Sequence, residues 1–154
     1  MHHYSLHTVW RLPASSERCW HELVVLRSWQ HWWPAFQLSS PSSSHDPSIG
    51  EELMLTVRSP LGYKLRVGLK ITDITHLSRL QVSGSGDLNG VGGTNFADEG
   101  SSEQPKTVIS IGWTVRTTKR WMNLLAPVAA PAFSWAHRKV MADGERRFQN
   151  YLRR

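Results

Sequence analysis

Residues 63 to 72, Tyr-Lys-Leu-Arg-Val-Gly-Leu-Lys-Ile-Thr, show the most regular alternation in the chain. Apolar residues occupy every second position of this stretch. The positions between them carry Lys64, Arg66, Gly68, Lys70 and Thr72. Because successive side chains of a strand point to opposite faces, the stretch predicts a strand with one dry and one wet face. An antiparallel sheet with one dry face needs a cover, which the rest of the chain must supply.

The same period of two recurs on both sides of this stretch. It predicts further strands over residues 4–12, 36–38, 52–58, 80–88, 91–96 and 107–116. Asn89-Gly90 predicts a two-residue hairpin turn, since both residue types accept a positive φ. Residues 39–48 are rich in serine and lack apolar side chains, so they predict an exposed loop.

Helical signals precede and follow these strands. Ser15 or Ser16 can cap a first short helix, and residues 29–33 form a second one that ends at Pro34. A long helix is predicted from Pro131 to the end of the chain. At about 100° per residue, one arc of this helix collects the positions Phe133, His137, Val140, Met141, Gly144, Phe148, Tyr151 and Leu152.

The order of these elements predicts an α+β domain that spans residues 1–154. Its antiparallel sheet of about six to seven strands curves around the long C-terminal helix, and two short helices follow the first strand. One helix cannot fill the whole concave side of such a sheet, so an internal cavity is expected. The eight tryptophans favour a core or a cavity wall built from flat rings.

Several segments, in this order, resemble the polyketide cyclase/dehydrase-like branch of the START-like (SRPBCC) superfamily over nearly the whole chain. They are Ala14–Trp20, Trp29–Pro34, Gly50, Gly86–Gly92, Thr118–Pro127 and Trp135–Met141. The resemblance implies the helix-grip fold. Members of this superfamily bind lipids, sterols, polyketides or plant hormones, and some catalyse cyclisation or dehydration. The fold cannot choose among these roles.

The predicted ligand-binding positions face inward from the strands and the last helix. They are Tyr63, Leu65, Val67, Val82, Gly84, Ile111, Trp113, Phe133, His137, Met141 and Gly144. His137 is the one catalytic candidate, although a hydrogen-bonded core histidine fits the same position. Gly144 predicts either a close approach of helix and sheet or a thin point beside the cavity.

The apolar segment between the last strand and the long helix leaves three interpretations open. Residues 121–133 form a lid over the cavity mouth, a buried connection or dimer contact, or a patch that touches a membrane beside Lys119 and Arg120. The lid and the buried connection rank first, and membrane contact ranks last.

Other site chemistry is excluded by the motifs. His21-Glu22-Leu23-Val24-Val25 lacks the second histidine of a zinc-protease helix, and the glycines from Gly84 lack the spacing of a dinucleotide fingerprint. We therefore predict neither a metal nor a cofactor. The net charge is +6, but acidic residues dilute the basic face of the last helix, so nucleic-acid binding is not predicted. A single cysteine and the lack of a signal-peptide pattern predict a cytoplasmic protein. We expect either a monomer or a homodimer.

Three functions follow from these features. The first is binding of a hydrophobic small molecule, such as a lipid, a polyketide-like compound or an aromatic compound, in the cavity. The second is an enzyme of the polyketide cyclase/dehydratase type that uses the same cavity. The third is an interaction protein that uses the basic face of the last helix.

Overall fold

The computed structural model describes residues 3–24, 29, 31–38 and 48–153. Its elements are β1 (His3–Leu12), α1 (Ser16–Val24), β2 (Phe36–Leu38), β3 (Glu52–Arg58), β4 (Lys64–Thr75), β5 (Arg79–Gly86), β6 (Leu88–Asp98), β7 (Thr107–Thr117), α2 (Arg120–Leu124) and α3 (Ala126–Leu152). The loop predicted over 39–48 lies, apart from Ser48, outside the described residues.

The strands form one antiparallel sheet of seven strands in the order β1-β7-β6-β5-β4-β3-β2. The sheet curls into a half-barrel whose concave side faces α3. In β4 the alternation is as predicted, with the inward side chains buried and the charged ones exposed. The α+β helix-grip architecture is therefore confirmed, including the long C-terminal helix.

The two short helical segments after β1 are also confirmed. The Ser15 hydroxyl accepts a hydrogen bond from the Arg18 N–H at 3.2 Å and caps α1. Farther along, the N–H groups of Trp32 and Trp33 both donate to the Trp29 carbonyl and close a helical turn. This turn brings its tryptophan rings against the concave face of the sheet.

The hairpin between β5 and β6 turns two residues earlier than Asn89-Gly90 predicts. The chain reverses at Asp87, and Asn89 and Gly90 already belong to β6. The Asp87 carboxylate accepts a hydrogen bond from the Arg66 N–H at 2.7 Å, and the Asp87 carbonyl accepts one from the Thr118 N–H at 2.9 Å. Gly86 enters this turn at φ +89°, which favours glycine. Bonds to β4 and to the end of β7 therefore override the local turn signal.

The last helix begins five residues earlier than predicted. It starts at Ala126, so Pro127 lies in its first turn and Pro131 lies inside it. Proline in the first turn costs nothing, because the N–H groups there have no partner within the helix. Pro131 removes the N–H that would reach the carbonyl of Pro127, and its ring crowds that carbonyl.

The C-terminal half of α3 is fixed to the end of β1. Glu145 accepts a hydrogen bond from the Arg11 N–H at 2.8 Å, and the Gln149 amide donates to the Arg11 carbonyl, also at 2.8 Å. The Arg18 guanidinium donates to the Leu152 carbonyl. These bonds hold the helix at one end of the sheet, and its N-terminal half extends along the concave face.

Candidate functional site

A cavity of about 170 Å³ lies between the concave face of the sheet and α3. Its walls come from all seven strands, from α1, from the tryptophan turn and from residues 133–141 of α3. The inward residues of the strands form one wall because the pleat sends every second side chain there. On α3, Phe133, His137 and Met141 follow one another at four-residue spacing and therefore share the face that closes the cavity.

Ten of the eleven predicted binding positions lie in this lining: Tyr63, Leu65, Val67, Val82, Gly84, Ile111, Trp113, Phe133, His137 and Met141. That they bind a ligand stays a prediction. The structure places Gly144 elsewhere, against the Trp33 ring. A Cβ atom on Gly144 would lie 2.6 Å from Cε2 of that ring. Gly144 therefore marks a close approach of α3 to an aromatic side chain, not a thin point beside the cavity.

Sequence reasoning did not assign the tryptophan turn to the site. Trp29 and Trp33 line the cavity, as does Phe36 of β2. Trp33 packs against Phe36 with ring centroids 4.1 Å apart, and its Nε1 donates to the Val140 carbonyl at 3.3 Å. The density of aromatic residues at 29–36 was the available signal. Their depth relative to the sheet depends on tertiary packing, which a local pattern does not give.

His137 is the most polar group that α3 presents to the cavity. Burial lowers its pKa from the ordinary value of 6.5 to about 4, and the neighbouring Arg138 cation acts in the same direction. The imidazole is therefore neutral at pH 7. It makes no side-chain hydrogen bond with another described residue. A neutral imidazole can still donate one hydrogen bond and accept another.

Tyr63 lies at the end of the cavity nearest α2. Burial raises the pKa of its phenol, while a hydrogen bond with Ser59 has a smaller lowering effect. Burial likewise raises the pKa of Tyr4, and Tyr63 nearby adds to that rise. Both phenols are therefore neutral at pH 7.

The described part of the lining contains no Asp, Glu, Lys or Arg side chain. Besides His137, Tyr63 and Ser59, its polar side-chain atoms are the Thr94 hydroxyl and the indole N–H groups of Trp10, Trp29, Trp33 and Trp113. The indoles of Trp29 and Trp33 donate to the carbonyls of Leu23 and Val140. Nε1 of Trp10 and Oγ1 of Thr94 make no hydrogen bond with a described residue, and each exposes less than 1 Å² of surface. Other side chains therefore cover them. The cavity is apolar and carries no formal charge at pH 7.

The short helix α2 packs against Tyr63 of the cavity lining. The Trp121 ring meets the Tyr63 ring edge-on, with centroids 5.6 Å apart. Met122 is buried beneath α2, but Leu124 and Val128 are 78% and 76% exposed. The outer side of residues 121–133 is therefore exposed, and the interpretation of this segment as a buried connection is wrong there. A lid, a dimer contact and a membrane contact stay predictions.

The basic outer face of α3 is partly neutralised by its own acidic residues. Asp143 forms ion pairs with both Arg146 and Arg147. Intrahelical pairs of this kind are typical of a solvated surface. Among the described residues, no helix combines the length and the apolar character needed to cross a bilayer.

The sheet order, the long covering helix and the apolar cavity between them define a START-like helix-grip fold. Solved structures with the same architecture support this assignment. A START superfamily protein from Mycobacterium smegmatis superposes with a TM-score of 0.70 at 13% identity, covering 97% of each chain.

Two further solved structures share this fold. A conserved protein from Geobacillus kaustophilus has a TM-score of 0.68 at 10% identity, covering 96% of this chain and 94% of its own. A protein from Thermus thermophilus has a TM-score of 0.64 at 15% identity, covering 96% of this chain and 99% of its own. Neither a family model nor a curated protein matches the sequence. At these identities the likeness shows the fold alone.

Proposed function

We propose that the protein binds a hydrophobic small molecule in the cavity between the sheet and α3. The observation that carries this proposal is an apolar, uncharged space of about 170 Å³ inside a packed domain. Protein interiors are close-packed, and voids larger than a water molecule are few. Because an empty apolar void forgoes packing contacts, a retained one is a natural place for an apolar ligand.

The lining favours an apolar ligand over water. Water needs two to four polar partners to occupy a cavity, and an apolar cavity of about 150 Å³ stays dry and binds benzene in another protein. Here the accessible polar groups are few, on His137, Trp113, Ser59 and Tyr63. Burial of apolar ligand surface contributes about 25 cal/mol for each Å².

Ligand binding is better supported than catalysis in the same cavity. General acid–base catalysis is most efficient when the pKa of the catalytic group lies near the working pH. The pKa of His137, about 4, makes it a weak base at pH 7. No carboxylate in the described lining is placed to orient or activate it.

Ligand-observed NMR with a panel of small apolar compounds tests the proposal. Ile111→Trp fills the cavity from β7, and Thr114→Trp adds the same ring on the exposed face of that strand. We expect compounds that bind the wild type and Thr114→Trp but not Ile111→Trp. Compounds that bind all three proteins equally, or a panel with no binder at all, would count against the cavity as the site.

A further inference from the structure

We propose that the cavity selects an uncharged molecule about the size of one aromatic ring, and that His137 contacts the hydrogen-bonding group of that molecule. The inference rests on the proposed function, because it specifies the ligand class of the same site. It adds an upper limit on size, a rule on charge and a residue that recognises a polar group.

The size limit follows from the volume. A cavity of about 150 Å³ accommodates one benzene molecule, and the cavity here measures about 170 Å³. A single ring with one small substituent therefore fits. A sterol or a lipid chain is larger than this volume, so part of it would lie outside the cavity.

The charge rule follows from the lining. Removing a carboxylate or an ammonium group from water costs several kcal/mol unless a counter-charge is present. The described lining offers no Asp, Glu, Lys or Arg to supply one. A neutral alcohol, phenol or carbonyl group needs only a hydrogen bond, so it is desolvated at far lower cost.

Comparison of the polar groups in the lining assigns the hydrogen bond with the ligand to His137. Ser59 and Tyr63 form a hydrogen bond with each other. Nε1 of Trp10 and Oγ1 of Thr94 are covered by other side chains, and the indoles of Trp29 and Trp33 donate to backbone carbonyls. The indole N–H of Trp113 can donate a hydrogen bond but cannot accept one. The His137 imidazole, in contrast, is only half-buried and has no side-chain hydrogen bond within the described chain.

Position along α3 places this imidazole beside the apolar part of the site. Phe133 lies one turn before His137 and Met141 one turn after it, and both line the cavity. A ring that packs between these side chains and the sheet would present its substituent to the imidazole. Neutral imidazole offers both a donor and an acceptor, so a hydroxyl or a carbonyl group satisfies it.

Three probes that share one ring test the proposal at pH 7: toluene, benzyl alcohol and benzoate, with affinities from NMR titration. Toluene measures the cavity alone, benzyl alcohol adds a neutral hydroxyl, and benzoate adds a charge. We expect toluene and benzyl alcohol to bind the wild type. Benzoate is expected to bind at least about tenfold more weakly than benzyl alcohol.

The variants His137→Leu and His137→Gln test the polar contact. We expect His137→Leu to lower the affinity for benzyl alcohol relative to toluene by roughly 2- to 10-fold, and His137→Gln to restore part of that preference. Retained toluene binding in both variants shows that the cavity remains intact.

The two proposals fail in different ways. If toluene and benzyl alcohol both fail to bind the wild type, the proposed function falls, and this inference falls with it. If toluene binds, the function stands, and either of two results overturns the inference. One is benzoate binding as tightly as benzyl alcohol, and the other is an unchanged ratio of benzyl alcohol to toluene affinity in His137→Leu.

Discussion

Gly144 shows how closely single atoms are packed where α3 approaches the tryptophan turn. An added Cβ would lie 2.6 Å from atoms Cε2 and Cζ2 of Trp33. Trp33 is itself held by its hydrogen bond to the Val140 carbonyl and by stacking on Trp32. The ring therefore has little freedom to move away.

We expect Gly144→Ala to lower the free energy of unfolding by about 1 kcal/mol, measured by urea denaturation. Alanine favours a helix over glycine by about 1 kcal/mol, but overpacking of a core costs about 1–3 kcal/mol. Gly112→Ala is the control, because a Cβ there meets no atom within 4 Å. A Gly144→Ala protein as stable as the wild type would show that the Trp33 contact relaxes easily.

His137 also predicts how stability depends on pH. Its pKa is about 4 in the folded protein and near 6.5 in the unfolded chain. Between these values the unfolded state binds a proton that the folded state does not, so stability falls as the pH is lowered from 6.5 to 4. We expect this group to contribute a loss of roughly 1–3 kcal/mol over that range, at the lower end if solvent reaches the ring.

Urea unfolding at several pH values between 4 and 7 measures this dependence. The His137→Leu variant should show a flatter profile, because it lacks the titrating group. If both proteins lose stability in parallel as the pH falls, groups other than His137 control the acid response.

The cavity-lining positions on the strands were predictable because they follow a period of two. Leu65 and Val67 of β4 and Ile111 of β7 are examples. The 3.6-residue period likewise placed Phe133, His137 and Met141 on one face of α3. Ser59 and Thr94 were not predicted, because a polar residue at a strand end or on a strand carries no periodic signal of its own. Their contribution depends on the curvature of the sheet.

At the scale of elements, the prediction that residues 121–133 form a lid concerns α2, which packs against Tyr63 of the cavity lining. Its Trp121 ring lies against Tyr63, whereas Leu124 on the same helix points to solvent. The edge-on aromatic contact contributes about 0.5–1.5 kcal/mol. Loss of this contact should allow α2 to open more often.

We expect Trp121→Ala to raise the dissociation rate of toluene by roughly 2- to 10-fold, measured by NMR line shapes, with a smaller change in the association rate. Leu124→Ala is the matched control on α2 and should leave both rates unchanged. Equal rates in the wild type and Trp121→Ala would mean that the ligand passes at another point of the cavity wall.

Two element boundaries show where local signals stop being sufficient. Asn89-Gly90 is a strong hairpin signal, yet the turn forms at Asp87, because Asp87 bonds to Arg66 of β4 and to Thr118 beyond β7. Pro131 predicts a helix start, yet α3 extends past it toward Ala126. At the hairpin, contacts with elements distant in sequence decide a boundary that local propensity leaves open.

At the scale of the whole molecule, the sequence predicted the layer architecture but not the volume inside it. The order of strands and helices, with their periods, fixes which faces turn inward. The cavity volume is the small difference between the space that the curved sheet encloses and the side chains that fill it. A few degrees of curvature or one rotamer of Trp33 changes that difference, and neither is encoded in a periodic pattern.

Binding in this cavity must stabilise the whole domain, because the site exists only when the sheet and α3 are assembled. A ligand at 100 times its dissociation constant adds about 2.7 kcal/mol to the free energy of unfolding. For a domain of this length we expect toluene at that concentration to raise the melting temperature by about 5–10 °C. Calorimetry measures the shift.

The cavity-filled variant Ile111→Trp should show no such rise, whereas Thr114→Trp should respond like the wild type. A similar rise in the cavity-filled protein would place the stabilising interaction outside the cavity.

The bonds from α3 to Arg11 have a consequence for colloidal behaviour. β1 is an edge strand, and the unpaired N–H and C=O groups of an edge strand can recruit a strand from another chain. Here Glu145 and Gln149 already bond to both backbone groups of Arg11, so Arg11 cannot pair with a strand of a neighbouring molecule. The opposite edge strand, β2, is only three residues long. The helix that closes the cavity thus also blocks strand addition at the Arg11 end of β1.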